Sequence, residues 1–171
     1  QMPWTNLLRH RRLLTRLILP QFVIGLGAGM MMPFMNVFFR HTFGKPDAVV
    51  GTLFALGSLT MALAQFVAAP LADRLGKINT TVLTQGLSIP FLLTLALTSW
   101  AAPRTDVLQV WYLIAAGAYL IRLALMNLSG PVYQTFQLEQ VELGAQALTA
   151  SLNSVAFQFG WAFSPYLSGW F

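Results

Sequence analysis

Three observations predict that this sequence folds as an all-α membrane protein with five transmembrane helices. Only 9% of its 171 residues are charged and 56% are hydrophobic, whereas an ordinary soluble domain carries about 25% charged residues. So few charges cannot cover a globule with a wetted surface. Five apolar stretches each reach the ~18 residues that a spanning helix requires. The ten Lys and Arg gather between these stretches, with Arg122 the exception. The mean hydropathy, +0.63, agrees.

Residues 1–16 form a basic linker carrying Arg9, Arg11, Arg12 and Arg16. The first span is expected over residues 17–39 and runs without a charge. A secretory signal has a shorter apolar run and a small-residue cleavage site, and four further spans follow here, so that reading is set aside. The second and third spans are expected over 48–72 and 78–102. The fourth covers 107–137 and is interrupted only by Arg122; the fifth covers 144–171. Helices are expected because backbone groups in lipid must be satisfied within the segment. A β-barrel would show ~10-residue alternating strands, and none are present. Pro20, Pro33, Pro90, Pro131 and Pro165 would break soluble helices, but neighbouring helices re-satisfy the freed groups in a membrane bundle. The chain starts at Gln1 and stops inside an apolar run, which reads as a fragment of a longer protein that lacks a sixth helix.

The charge distribution predicts orientation. Arg9, Arg11, Arg12, Arg16, Arg74 and Lys77 fall on one side, and Arg40, Lys45 and Arg104 on the other. The richer side is expected to be cytoplasmic, which places the N-terminus inside. The net charge of +5 therefore reads as membrane topology rather than nucleic-acid recognition. With no Cys, disulfides and thiolate metal sites are excluded.

Enzymatic readings find little support. The two His, His10 and His41, lie at span ends, and no Asp or Glu lies inside a span. Metalloprotease, nucleophile-elbow, P-loop and dinucleotide-binding patterns are all missing. No cofactor or metal is expected.

Arg122 is the most informative residue. It lies ~22 Å from the outer end of its helix at 1.5 Å per residue, near the middle of the bilayer. A charge at that depth costs at least ~2.5 kcal/mol unless it faces protein or water. Either it faces a cavity, to meet an anionic substrate group or a carboxylate of another helix, or it forms a structural pair or snorkels. Asn36 and Asn127 are expected to be buried amides at matching depths of oppositely directed spans, as an inverted 3+3 repeat would place them. They either bind substrate or hydrogen-bond between helices. Gln65, Gln85 and Gln158 share that ambiguity. Asn153, Phe157, Trp161 and Ser164 fall on one face of the last span, which either lines a cavity or packs. Gly25 and Gly29 form a GxxxG pair expected to pack against another helix. Trp100, Trp111 and Trp170 sit at span ends as interfacial anchors.

The loop between spans two and three reads Ala69-Pro70-Leu71-Ala72-Asp73-Arg74-Leu75-Gly76-Lys77-Ile78. It resembles the loop signature of the major facilitator superfamily, G-x-L-A-D-R-x-G-R/K-R/K. Leu71, Asp73, Arg74, Gly76 and Lys77 fit, while Ala69 and Ile78 depart from it. Ser164-Pro165-Tyr166-Leu167-Ser168-Gly169 is similar to a worn form of the family's G-P-x-x-G-G antiporter motif. Both departures fit the C-terminal half, so the resemblance implies helices seven to eleven of a twelve-helix transporter. It implies a six-helix half with an inverted 3+3 repeat, in which the first, second, fourth and fifth spans line the central cavity.

The implied function is secondary active transport of a small solute by alternating access. Efflux of an amphipathic compound or metabolite comes first, and uptake of an anionic metabolite read by Arg122 second. The alternative class is a membrane interaction subunit that transports nothing. The expected cavity residues are Arg122, Asn36, Asn127, Gln158 and Trp161. A cytoplasmic latch is expected from the loop, with Arg74 pairing with Glu139 or Glu142. The expected partners are the small-molecule substrate, a coupled proton or ion, the missing half of the same chain and the lipid bilayer. The expected location is the plasma (inner) membrane.

Overall fold

The computed structural model describes residues 11–168. The basic residues Arg9 and His10 and the terminal Gly169 and Trp170 lie outside the described residues. Every regular element is helical. Helix α1 covers Arg11–Met31 and continues through a 3-10 turn, Met32–Phe34, into α2, Met35–Phe43. Helix α3 covers Asp47–Leu75, α4 Lys77–Ala101, α5 Leu108–Glu139 and α6 Gln146–Ser168. The 3-10 turn coincides with Pro33, which removes a backbone donor and shifts the helical phase. Pro20, Pro70, Pro90 and Pro131 are carried inside α1, α3, α4 and α5.

Among the described residues, four helices are long and apolar enough to cross a membrane: Leu14–Phe43, Asp47–Leu75, Lys77–Arg104 and Leu108–Glu139. These correspond to the first four expected spans, each extended by a few residues. Helix α6, in place of the fifth expected span, is not among the four. Gln146, Thr149, Ser151, Asn153, Ser154 and Gln158 lower its hydropathy.

The chain divides into two compact units, Gln1–Met35 with Gln134–Phe171, and Asn36–Tyr133. In the first unit, α1 and α6 pack backbone to backbone. A Cβ on Gly29 would stand 2.7 Å from the Trp161 carbonyl oxygen, and one on Gly160 would stand 2.5 Å from that of Phe22. A Cβ on Gly25 would run into the Phe157 carbonyl oxygen. Such contact lets dispersion and carbonyl dipoles act at short range, which is how helices associate where lipid removes the hydrophobic drive. Phe22 and Phe159 add a ring contact at 6.3 Å, and the Ser164 hydroxyl donates to the Leu26 carbonyl at 2.6 Å.

In the second unit the polarity of α4 is inverted relative to a soluble helix. Thr80 and Thr98 are fully buried, while Leu97 is 62% exposed. Thr84 donates to the Thr80 carbonyl at 2.8 Å, Ser88 to Gln85 at 2.7 Å and Thr98 to Leu95 at 2.8 Å. Each hydroxyl satisfies itself on its own helix and presents a small surface to its neighbours. The Gln85 amide donates to the Ser129 hydroxyl of α5 at 3.0 Å. Ala68, Ala72, Leu128 and Val132 form an apolar cluster between α3 and α5. Small polar residues inside and large apolar ones outside is the arrangement expected when the solvent is hydrocarbon.

The glycine contacts are testable in detergent. Gly25→Ala and Gly29→Ala should each cost about 1–3 kcal/mol by overpacking, lowering the thermal midpoint of the purified protein. Gly27→Ala, whose Cβ meets nothing within 4 Å, should leave the midpoint unchanged or raise it. Equal midpoints for all three variants would show that the helices do not pack this way.

Candidate functional site

Arg122 lies 14 residues (122 − 108) into α5, about 21 Å along it, and the helix continues beyond it to Glu139. Its side chain is 8% exposed. Its Nε is buried and finds no acceptor among the described residues. Leu123 and Tyr119 beside it are also buried, and Gly57 of α3 is close enough that a Cβ would stand 2.8 Å from Leu123 Cδ1. This glycine lets α3 approach α5 beside the arginine.

Aromatic rings occupy the side toward the start of α5. Tyr119 meets Phe39 edge-on at 5.7 Å and Phe54 at 5.7 Å. Tyr112, two turns earlier, meets Phe39 at 6.2 Å and Phe43 at 5.8 Å. Edge-to-face rings of this kind set positive edges against negative faces and hold one another in place. On the other side, the Asn127 amide donates to the Leu123 carbonyl at 2.9 Å, so it is half-buried and tied to its own helix. The guanidinium is a planar fork with five donors that matches a carboxylate or phosphate in a bidentate manner. A buried donor without a partner is costly.

Asn36 is exposed, contrary to its expected burial. Met35 and Phe39, one turn apart, take the buried face of α2, and Asn36 points about 100° away from Met35. Gln65 and Gln158 are also exposed. Trp161 is half-buried and stacked on Phe157 at 6.3 Å. The expected stripe of Asn153, Phe157, Trp161 and Ser164 is a packed face: Asn153 and Ser164 are buried and hydrogen-bonded, and the Phe157 and Trp161 backbones abut Gly25 and Gly29.

Sequence reasoning passed over Gln137. It is 1% exposed and forms a reciprocal amide pair with Asn153. Gln137 Nε2 donates to Asn153 Oδ1 at 3.2 Å and to the Leu17 carbonyl at 2.5 Å, and Asn153 Nδ2 donates back to Gln137 Oε1. The pair joins the end of α5 to α6 and to α1, three residues before Pro20. A glutamine at the edge of an apolar run looks like a helix end, and only its partner on another helix reveals the pair.

In the loop signature, Asp73 and Arg74 are exposed in the last turn of α3. Leu71 packs on the alanine cluster. Gly76 joins α3 to α4 as a single residue at φ +84°, with its N–H donating to the Ala72 carbonyl at 2.9 Å and its own carbonyl accepting from Thr80 at 2.9 Å. Only glycine adopts that conformation without a Cβ penalty. Lys77 opens α4. Glu139 closes α5, and Glu142 precedes the 3-10 turn Leu143–Ala145. Trp100 is exposed with the Arg104 guanidinium 4.4 Å over its ring, and Trp111 Nε1 donates to Thr105 Oγ1 at 2.7 Å.

Apolar helices with polar residues turned inward and one arginine buried at mid-span define an integral, multi-pass membrane protein. Residues 2–171 match the Major Facilitator Superfamily, and the chain belongs to that family of membrane transporters for small-molecule substrates. No curated protein matches the chain, and no solved structure does.

The amide pair makes a distinctive prediction. Gln137→Leu and Asn153→Leu should each cost about 1–3 kcal/mol of stability, because each strands a buried amide. The double variant should cost less than the sum, since both partners leave together. Strict additivity of the thermal shifts would contradict the pairing.

Proposed function

We propose that the chain works in secondary active transport, moving a small amphipathic solute by alternating access, with Arg122 meeting an anionic group on that solute. One observation supports the reading above the others: Arg122 is buried, and its Nε has no acceptor among the described residues. A residue that costs several kilocalories per mole in a membrane segment marks a pathway unless it is structurally paired. The rings around Tyr119 suit the apolar body of such a solute.

The direction we propose is efflux across the inner membrane, with the N-terminus in the cytoplasm as the basic residues favour and a companion helical half completing the cavity. Uptake of an anionic metabolite is the second reading, and the uncompensated cation favours it. The carboxylates of the four spanning helices, Asp47, Asp73 and Glu139, all lie in a first or last turn, so a coupled proton would be carried by an acid outside the middle of these spans. Asn127 and Trp161 remain candidates for the solute path. Asp73 and Arg74 would form part of a latch on the cytoplasmic face that breaks as the helices rock.

The test is transport by the full chain in proteoliposomes against a panel of small organic carboxylates, neutral amphiphiles and organic cations. Carboxylates should be moved, and Arg122→Ala should lower their rate at least about tenfold, as loss of a charge-assisted hydrogen bond predicts. Arg122→Lys should retain part of it. A variant that elutes as a single species yet transports every class as before would overturn the role of Arg122. Separately, Asp73→Asn should cut transport while insertion and elution stay normal. Aggregation of that variant would assign Asp73 to folding rather than to the latch.

A further inference from the structure

The second unit contains a cleft that the transport reading does not use. It has a volume of about 400 Å³ and lies between α3 and α5, from Ala48 to Leu56 on one wall and from Tyr112 to Leu120 on the other. Each wall covers eight residues of rise, about 12 Å. The walls are apolar. Thr52 and Tyr112 are the exceptions by type; the Thr52 hydroxyl donates to the Ala48 carbonyl at 2.8 Å, so that residue contributes its methyl group, and Tyr112 stands at the end of its wall. Between its ends the slot offers a ligand mainly apolar side chains.

One end of the slot differs. Lys45 Nζ lies 4.4 Å over the ring of Tyr112, the residue that closes that wall, and 2.5 Å from Gln109 Oε1. Both partners are neutral. Among the described residues Lys45 has no carboxylate partner, whereas Arg40 nearby is matched by Asp47 at 3.1 Å. The ring and the amide hold the ammonium at the slot mouth without neutralising it, and two of its three donors remain. The mouth is near the starts of both helices, where a spanning helix meets the headgroup level, and Trp111 marks that level.

From this juxtaposition we infer that the cleft is a binding site for one anionic phospholipid, with an acyl chain in the slot between α3 and α5 and its phosphate on Lys45. Charge complementarity selects this occupant. A neutral apolar segment of another protein would fill the slot and leave Lys45 without an anion, whereas a phospholipid supplies an apolar chain and an anionic headgroup together. The chain end of such a lipid is apolar along its whole length, as the slot is. The site involves none of the residues assigned to the solute, so its failure would leave the reading of Arg122 standing, and the reverse holds.

The test uses the full chain in nanodiscs with phosphatidylglycerol carrying a photoreactive diazirine near the middle of one acyl chain. Labelled peptides are mapped by mass spectrometry, with the phosphatidylcholine analogue as the comparison. Phosphatidylglycerol should label residues 48–56 and 112–120 in preference to phosphatidylcholine. Lys45→Gln should reduce that preference about fivefold, the effect of one interfacial cation on an anionic lipid. Ala116→Phe, which fills the slot and leaves the cation in place, should abolish labelling there by both lipids. Equal labelling by the two lipids with no response to Lys45→Gln would reduce the cleft to ordinary annular contact and overturn the proposal. So would labelling of the walls only by a cross-linked polypeptide, which would assign the cleft to a protein neighbour.

Discussion

Lipid offers no hydrogen bonds, and nearly every feature of this chain answers to that constraint. The backbone is helical because a helix pairs its own N–H and C=O groups. Several buried hydroxyls bond a carbonyl three or four residues back, as Thr84, Ser88 and Thr98 do. Where a larger amide is buried, it needs a partner from another helix. Gln137 and Asn153 supply this for each other, with the Leu17 carbonyl taking the remaining N–H. The two solutions differ in consequence. A hydroxyl bonded to its own helix leaves that helix free to slide, whereas an amide pair fixes three segments at one point. Within the first unit, α1 and α6 therefore share a hydrogen-bonded anchor at one end and glycine contacts further along.

Arg122 departs from this rule, and that is why it carries the functional argument. The same chain that finds partners for Gln85, Gln137 and Ser164 leaves an arginine nitrogen without one. Structural economy does not explain the exception, because a leucine at this position would cost nothing in lipid. Metal binding does not explain it either, since arginine does not ligate cations. Its chemistry suits an anion that is present only part of the time. The rings at Tyr119 and Tyr112 lock the face of α5 that carries it, so the guanidinium is held by a rigid helix rather than a loop.

The sequence makes the helices legible because lipid removes most alternatives: a long run without charge can only be a span or a signal. The loop signature was legible for a similar reason. Gly76 at φ +84° between two long helices admits one residue type, and the spacing of Leu71, Asp73 and Arg74 is fixed by the last turn of α3. The amides were less legible. Asn36 and Asn127 each follow a methionine in an apolar run, yet one is exposed and the other half-buried; Met35 and Phe39 take the buried face of α2 and turn Asn36 away from it. The last helix shows the same limit. Its stripe of Asn153, Phe157, Trp161 and Ser164 follows from periodicity, but periodicity cannot say whether a face meets a cavity or another helix. The glycines of α1 decide it, since Gly25 and Gly29 allow contact only where the opposing backbone is close.

The distribution of glycine contacts also bears on how such a bundle can move. Gly25, Gly29 and Gly160 make backbone contacts that a single added methyl group would break, while Gly27, Gly86 and Gly117 meet nothing within 4 Å. Small-residue contact is short-ranged van der Waals packing without a directional bond. The amide pair at Gln137 and Asn153 is the reverse, directional and hard to stretch. Pro20, three residues from the anchoring carbonyl of Leu17, removes a backbone hydrogen bond where bending would concentrate. Along α1 the directional contact is therefore at Leu17, and the backbone-to-backbone contacts lie along the glycines.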